Sequence, residues 1–235
     1  MVKTLIFMAA LGAASSVFGA AVGPGPAPCT PGVITSYEAL GSTGCTVDGV
    51  TFYSFSVLTD YDSGGGAIDP ALRFTISPSG TGAAGFDLSF AGTTSDLIYY
   101  DIQYSFDPPP AIGSAFLGLD VEGSVNITEG ICPGGVFTQG PDSTNTCNDN
   151  GLDPPAVVLG VSNTPGDTTA YATFTPVTQG QIRLLVTLDG TTSQGAAGFN
   201  TLTATVGTPE PATFGLLLAG LAALGAAAYR RKIRR

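Results

Sequence analysis

Seventeen of the eighteen acidic side chains lie between residues 22 and 208, a stretch with no histidine, no lysine and only two arginines, Arg73 and Arg183. The missing types limit the chemistry first. Without histidine, Ser-His-Asp and Cys-His nucleophile systems are ruled out, as are His-ligated zinc, copper and haem. No G-x-G-x-x-G fingerprint and no P-loop occurs. Paired carboxylates for glycoside hydrolysis are available among seventeen acids, but spacing along the chain does not fix separation in space. The segment Pro141 to Pro155 is rich in hard oxygen donors, with Asp142, Asn145, Asn148, Asp149, Asn150 and Asp153. Asp60-Tyr61-Asp62 is a smaller group of the same kind. Calcium suits such donors, so Asp142, Asp149 and Asp153 are its candidate ligands and calcium the one candidate cofactor. EF-hand spacing is not met: with Gly151 as the invariant glycine, position 1 falls on Thr146 and position 12 on Val157. The same Asn, Asp, Gly and Pro are also ordinary turn residues.

Cys29, Cys45, Cys132 and Cys147 are the only cysteines. An even number in an exported chain implies two disulfides, and four cysteines allow three connectivities. The sequence-local pairing, Cys29 with Cys45 and Cys132 with Cys147, is expected. Carbohydrate binding favours exposed aromatic platforms, yet there is no tryptophan, and most tyrosines and phenylalanines fall on alternating apolar faces. Asn126-Ile127-Thr128 matches an N-glycosylation acceptor by chance, in mid-strand. Thr93-Thr94, Thr168-Thr169 and Thr191-Thr192 show no regular spacing, which gives an ice-binding face little support.

Strands must position these groups. Ile98, Tyr100, Ile102, Tyr104 and Phe106 alternate with polar neighbours, as do Ile182, Leu184, Val186 and Leu188. Leu117, Leu119, Val121, Val125 and Ile127 read as one further strand. Period two with one apolar face is the pattern of a half-buried antiparallel strand. Weaker strands are expected over 51–58, 72–77, 86–90, 157–161, 170–177 and 202–206. Turn chemistry separates them, as at Gly64-Gly65-Gly66, Asp107-Pro108-Pro109-Pro110 and Asp189-Gly190. No apolar spacing inside the body supports a helix. Eight or nine strands with short turns imply an all-β fold, an antiparallel β-sandwich of jelly-roll or immunoglobulin-like topology.

The two ends differ in kind from this body. Lys3, an apolar run from Leu5 to Val17 and small residues near Gly19 to Ala21 make a secretory signal peptide over residues 1–21. Residues 22–28 are a Gly/Pro spacer, and 29–208 form one exported domain of a size that can bury its own core. Ala212 to Tyr229 carries no charge, and eighteen helical residues rise about 27 Å, enough for a transmembrane helix across a ~30 Å layer. Arg230, Arg231, Lys232, Arg234 and Arg235 follow at once and hold that end cytoplasmic, leaving the body outside. Two basic residues against seventeen acidic ones give the body a formal charge of −15. Such a surface repels nucleic acid.

Pro209-Glu210-Pro211, the apolar segment directly after it and the terminal basic cluster together resemble the PEP-CTERM sorting signal, with Thr208 where many members carry Val. The resemblance covers residues 209–235. It implies an exosortase-type processing enzyme as partner and localisation at the cell envelope, then the surface or extracellular matrix with exopolysaccharide. The Sec export machinery is the further partner expected of an exported chain with a signal peptide. The function expected is that of a non-enzymatic surface or matrix protein, structural or adhesive in biofilm. A glycan- or calcium-binding module is the alternative, and a carbohydrate-active enzyme a further one.

Two tests follow from the sequence. Two prolines disfavour helix at 209 and 211, so the motif stays extended at the membrane's outer side. Glu210→Ala should leave insertion intact but keep the protein at full, unprocessed mass. A C-terminus ending at Arg235 in cells with and without exosortase defeats the sorting reading. Calcium held by Asp142, Asp149 and Asp153 stabilises the native state, so the melting temperature should rise from chelator to several millimolar calcium. Equal effects of calcium and magnesium would leave only general screening.

Overall fold

The computed structural model of the protein describes residues 25–62, 73–80, 83–107, 111–137, 147–148, 156–163, 167–192 and 195–207. The early elements are β1 (Gly32–Val33), a five-residue helix α1 (Ile34–Glu38), β2 (Cys45–Val47), β3 (Val50–Asp62), β4 (Phe74–Gly80) and β5 (Ala84–Phe90). Then come β6 (Leu97–Asp107), β7 (Ile112–Glu122), β8 (Val125–Pro133), β9 (Val136–Phe137), β10 (Cys147–Asn148) and β11 (Val157–Ser162). The chain closes on β12 (Thr169–Val177), β13 (Gly180–Asp189) and β14 (Gly198–Gly207).

Two antiparallel sheets of six strands result, one ordered β11-β8-β13-β6-β3-β2 and the other β1-β4-β5-β14-β7-β12. β9 and β10 pair separately. The fold is all-β as expected. From β6 to β8 the path crosses between sheets at each step, and late strands enter between earlier ones. β13 lies between β6 and β8, and β14 between β5 and β7.

One expected strand is in fact two. The alternation from Leu117 to Ile127 runs across a turn at Gly123, where the backbone takes φ 78°. A Cβ there would fall 2.3 Å from the Ala196 carbonyl oxygen, so only glycine fits the approach. β7 enters one sheet and β8 the other. Spacing hid this break because Val121 and Val125 keep the same parity across it. The helix α1 was also absent from the sequence reading. It is one turn long, held by burial of Ile34 and Tyr37 and by the Tyr37 hydroxyl donating to the Thr30 carbonyl at 2.7 Å.

Aromatic rings join the sheets. Phe52 of β3 meets Phe86 of β5 with centroids 4.8 Å apart, and Phe74 of β4 meets Tyr100 of β6 at 4.7 Å, both edge to face. A bulge makes room for more. Residues 52 and 55 would lie on opposite faces of a regular strand, but the register shifts between Tyr53 and Ser56, with Ser54 at φ 54°. The Ser54 N–H donates to the Gly41 carbonyl at 2.8 Å. Phe52 and Phe55 are therefore both buried, and Phe55 stacks on Tyr104 at 5.3 Å. Such ring pairs contribute about 0.5–1.5 kcal/mol each beyond their buried area.

Disulfides fasten the margins: Cys29 to Cys45, and Cys132 to Cys147. The first ties the segment before α1 to β2. The second fixes β10 to the end of β8, where Phe137 is buried with it and its N–H donates to Gln181 Oε1 at 2.8 Å. Loops of this length contribute about 3 kcal/mol each in the chain-entropy account. Among the described residues no helix is long and apolar enough to cross a membrane, and the span expected at 212–229 lies outside them.

Among the described residues one carboxyl group lies in the core. Glu129 on β8 falls in the inward row between Ile127 and Ile131, opposite Leu159 of β11 and Leu184 of β13, and is 0% exposed. Neither of its oxygens has a hydrogen-bond partner among the described residues. Desolvation raises its pKa from 4.5 to about 8, so the neutral acid is the form that folds. Burial pushes the nearby Tyr104 phenol well up too, and the Glu129 charge adds to that shift.

The sign of the pH dependence follows. Below pH 4.5 folded and unfolded chains both hold the proton, and the group exacts no ionisation penalty. Between pH 4.5 and about 8 only the folded chain holds it, so stability falls by up to about 1.4 kcal/mol per unit. Glu129→Leu removes the term, and its gain in melting temperature over wild type should be larger at pH 8.5 than at pH 4. Parallel melting-against-pH curves for the two proteins would refute this.

Candidate functional site

Strand parity decides which side chains reach solvent. On β7, Ala115, Leu117 and Leu119 point into the core, so Ser114, Phe116, Gly118 and Asp120 point out. On β12 the outward set includes Thr169, Tyr171 and Thr173. The two strands pair with Tyr171 directly opposite Phe116. Both rings are open to water, Tyr171 67% exposed and Phe116 37%. Two neighbouring aromatic side chains at the surface leave apolar area wet, which is the informative departure from ordinary burial.

The local sequence sets how one ring lies. A Cβ at residue 118 would come within 2.9 Å of Phe116 Cε1 and 3.0 Å of Cζ. Glycine at 118 thus lets the Phe116 ring lean along the strand over the next outward position. Thr205 of β14 stands opposite Phe116 on the other side and is nearly buried. Thr203 of β14 lies between Gly118 and Asp87 of β5. Its hydroxyl donates to Asp87 Oδ1 at 2.6 Å. Ser77 and Ser79 of β4 extend the rows opposite Asp87 and Gly85. The result is a sheet face with two rings at one edge and a field of hydroxyls with one fixed carboxylate beside them. It can stack on the apolar side of a flat ligand and hydrogen-bond that ligand's rim. Among the described residues no group of His, Cys, Asp or Glu could hold a metal.

The other sheet's outer face carries a different cluster. Asp101 of β6 and Arg183 of β13 form a bidentate pair, Nε to Oδ1 at 2.9 Å and Nη2 to Oδ2 at 2.6 Å. Gln103 donates its amide to the same carboxylate at 3.3 Å. Each member of the ion pair is 5% exposed, so the pair joins β6 to β13 and is not offered to a ligand. Removing either partner strands a buried charge, the costly case for such pairs.

The sequence-derived candidates fall unevenly on this structure. The four cysteines lie at its margins, away from the ring pair. Asp142, Asp149 and Asp153 lie outside the described residues, as do Pro209, Glu210, Pro211, Arg230, Arg231, Lys232, Arg234 and Arg235. Phe116 and Tyr171 were missed, although their signal was present: each occupies the polar phase of its strand's alternation. Glu129 was missed in the opposite way, as an acid in the apolar phase.

A solved structure of TmCBM61 in complex with β-1,4-galactotriose is similar at 11% identity, over 66% of this chain and 88% of that one, with a TM-score of 0.37. A likeness that loose carries nothing about this chain's ligand. No curated protein matches the chain in sequence. Residues 208–232 match the PEP-CTERM protein-sorting motif. The C-terminal tail carries that sorting signal, and the signal marks an exported protein sorted at the membrane by an exosortase.

Proposed function

We propose that the protein is a non-enzymatic surface or matrix component whose body binds polysaccharide on the outer face of β7, β12 and β14. The observation that carries this is the exposed Phe116–Tyr171 pair on a face whose other groups are hydroxyls and the carboxylates of Asp87 and Asp120. Pyranose rings have one side of C–H groups and a rim of hydroxyls, and each has a counterpart here. A binding site needs large, rigid side chains held open with polar groups beside them, and a sheet face fixes both. The sorting signal supports the setting, because it marks an exported protein sorted at the membrane and its resemblance implies exopolysaccharide as the surroundings. The expected helix at 212–229, with its basic cluster on the cytoplasmic side, is the anchor in this reading. The strand order, with β13 and β14 entering between earlier strands, supports the jelly-roll branch of the fold expectation. Adhesion within a matrix follows if such a face grips polymer while the tail is held at the envelope.

The test is affinity electrophoresis through gels containing matrix polysaccharide from the producing cells. Tyr171→Ala and Phe116→Ala should each weaken retardation about tenfold, on the order of 1.4 kcal/mol. Both side chains are exposed, so melting temperature should hardly move. Tyr99→Ala, an exposed ring on the opposite sheet, should bind like wild type. Unchanged retardation in the double variant, or an equal loss at Tyr99, would overturn the assignment.

A further inference from the structure

Resting on that reading, we infer that the Phe116–Tyr171 face selects polymers of uncharged pyranoses and rejects polyuronates. Charge distribution carries the inference. The body has two basic side chains, and neither lies in the strand rows that carry the rings and Asp87. Arg183 lies outside the opposite sheet, bound to Asp101. Arg73 precedes β4, where its Nη1 donates to the Ala91 carbonyl at 2.9 Å and its guanidinium lies 5.7 Å from the Phe90 ring centroid. Among its described side chains the face holds two carboxylates. Asp87 is fixed by Thr203, and Asp120 is reached by the Asn200 amide at 3.5 Å.

An anionic sugar laid on the rings brings its carboxylate toward these two, and among the described residues no cation stands in the same rows to offset them. At ~0.1 M salt such repulsion already acts over about 10 Å, which spans neighbouring rows of a sheet, and it reaches further as salt is lowered. A neutral pyranose meets no such penalty. Its hydroxyls donate to the Asp87 carboxylate as charge-assisted bonds, among the stronger kind. The Thr203 hydroxyl, its proton directed to Asp87, presents lone pairs as acceptors. Gly118 leaves room for the Phe116 ring to lie beside these groups.

The experiment uses the whole exported protein in gels containing a neutral galactomannan, a neutral β-glucan, a polyuronate or a glucosamine polycation. At least one neutral polymer should retard it ten times more strongly than the polyuronate at 20 mM salt, and added salt should narrow the ratio. That retardation should disappear in the Phe116→Ala/Tyr171→Ala protein. Asp87→Asn should improve polyuronate binding relative to wild type. Ring-dependent binding as tight to polyuronate as to neutral polymer overturns the selectivity while leaving the polysaccharide site in place. Binding to the polycation alone, salt-sensitive and indifferent to the ring substitutions, overturns both, because a −15 body attracts any polycation.

Discussion

The contact between the two sheets governs the rest of this structure. Phe52, Phe55, Phe74, Phe86, Tyr100 and Tyr104 meet across it, and Tyr37 closes one side against Phe55 and Phe86. Once those rings are committed inward, strand alternation fixes the destination of every neighbour. A one-residue slip in β7 would bury Phe116 and expose Leu117. The surface pair at Phe116 and Tyr171 is thus a consequence of the seam. The bulge at Ser54 shows how much is conceded to it, since β3 accepts a positive φ at a non-glycine residue to turn a second phenylalanine inward.

The same seam accounts for the weak role of charge in stability. With two basic side chains in the body, ion pairing can do little, and the pair that exists is buried and specific. Asp101 and Arg183 link β6 to β13 at a central position in their sheet, where misalignment would leave both charges stranded. Margins that the seam does not reach are held by covalent bonds. The disulfide at the end of β8 holds such a place, with Phe137 in a small cluster of its own, whereas Cys29 and Cys45 pack into the main core itself. Glu129 is the point where the seam tolerates a costly group, since among the described residues neither of its oxygens has a hydrogen-bond partner.

How much of this was legible depends on what each feature requires. The strands at 98–106 and 182–188 were plain, because an inward face with uniform parity is a local property. Sheet membership was not, since Val121 and Val125 share a parity while belonging to different sheets, and only the close approach of Gly123 to Ala196 reveals the crossing. The short-range cysteine pairing is what the structure contains. The ring pair needed two facts from distant strands, that β7 and β12 are neighbours and that 116 stands opposite 171. Each residue alone shows only an aromatic side chain in the polar phase of its strand, without its neighbour. The sorting signal was the most legible part, because its three components are contiguous and do not depend on the fold.

Where the fold stops and the signal starts has a mechanical meaning. β14 ends at Gly207, and the matched motif begins at residue 208, with no spacer between. β14 is not an edge strand. It pairs with β5 through Leu202–Val206 and with β7 through Gly198–Gly207. In the proposed reading the body is held by its tail, and a pull on that tail runs along a strand fixed on both sides. The hydrogen bonds of both ladders lie across that direction, so they resist together and are not peeled one at a time. Thr205, in the same row as Phe116 and Tyr171, stands two residues from the exit, about 7 Å along the strand. A polymer gripped on that row and a tail held at the envelope therefore load the same short part of β14. The path between them crosses the two ladders beside that row and bypasses the loops and the disulfide-fastened margins.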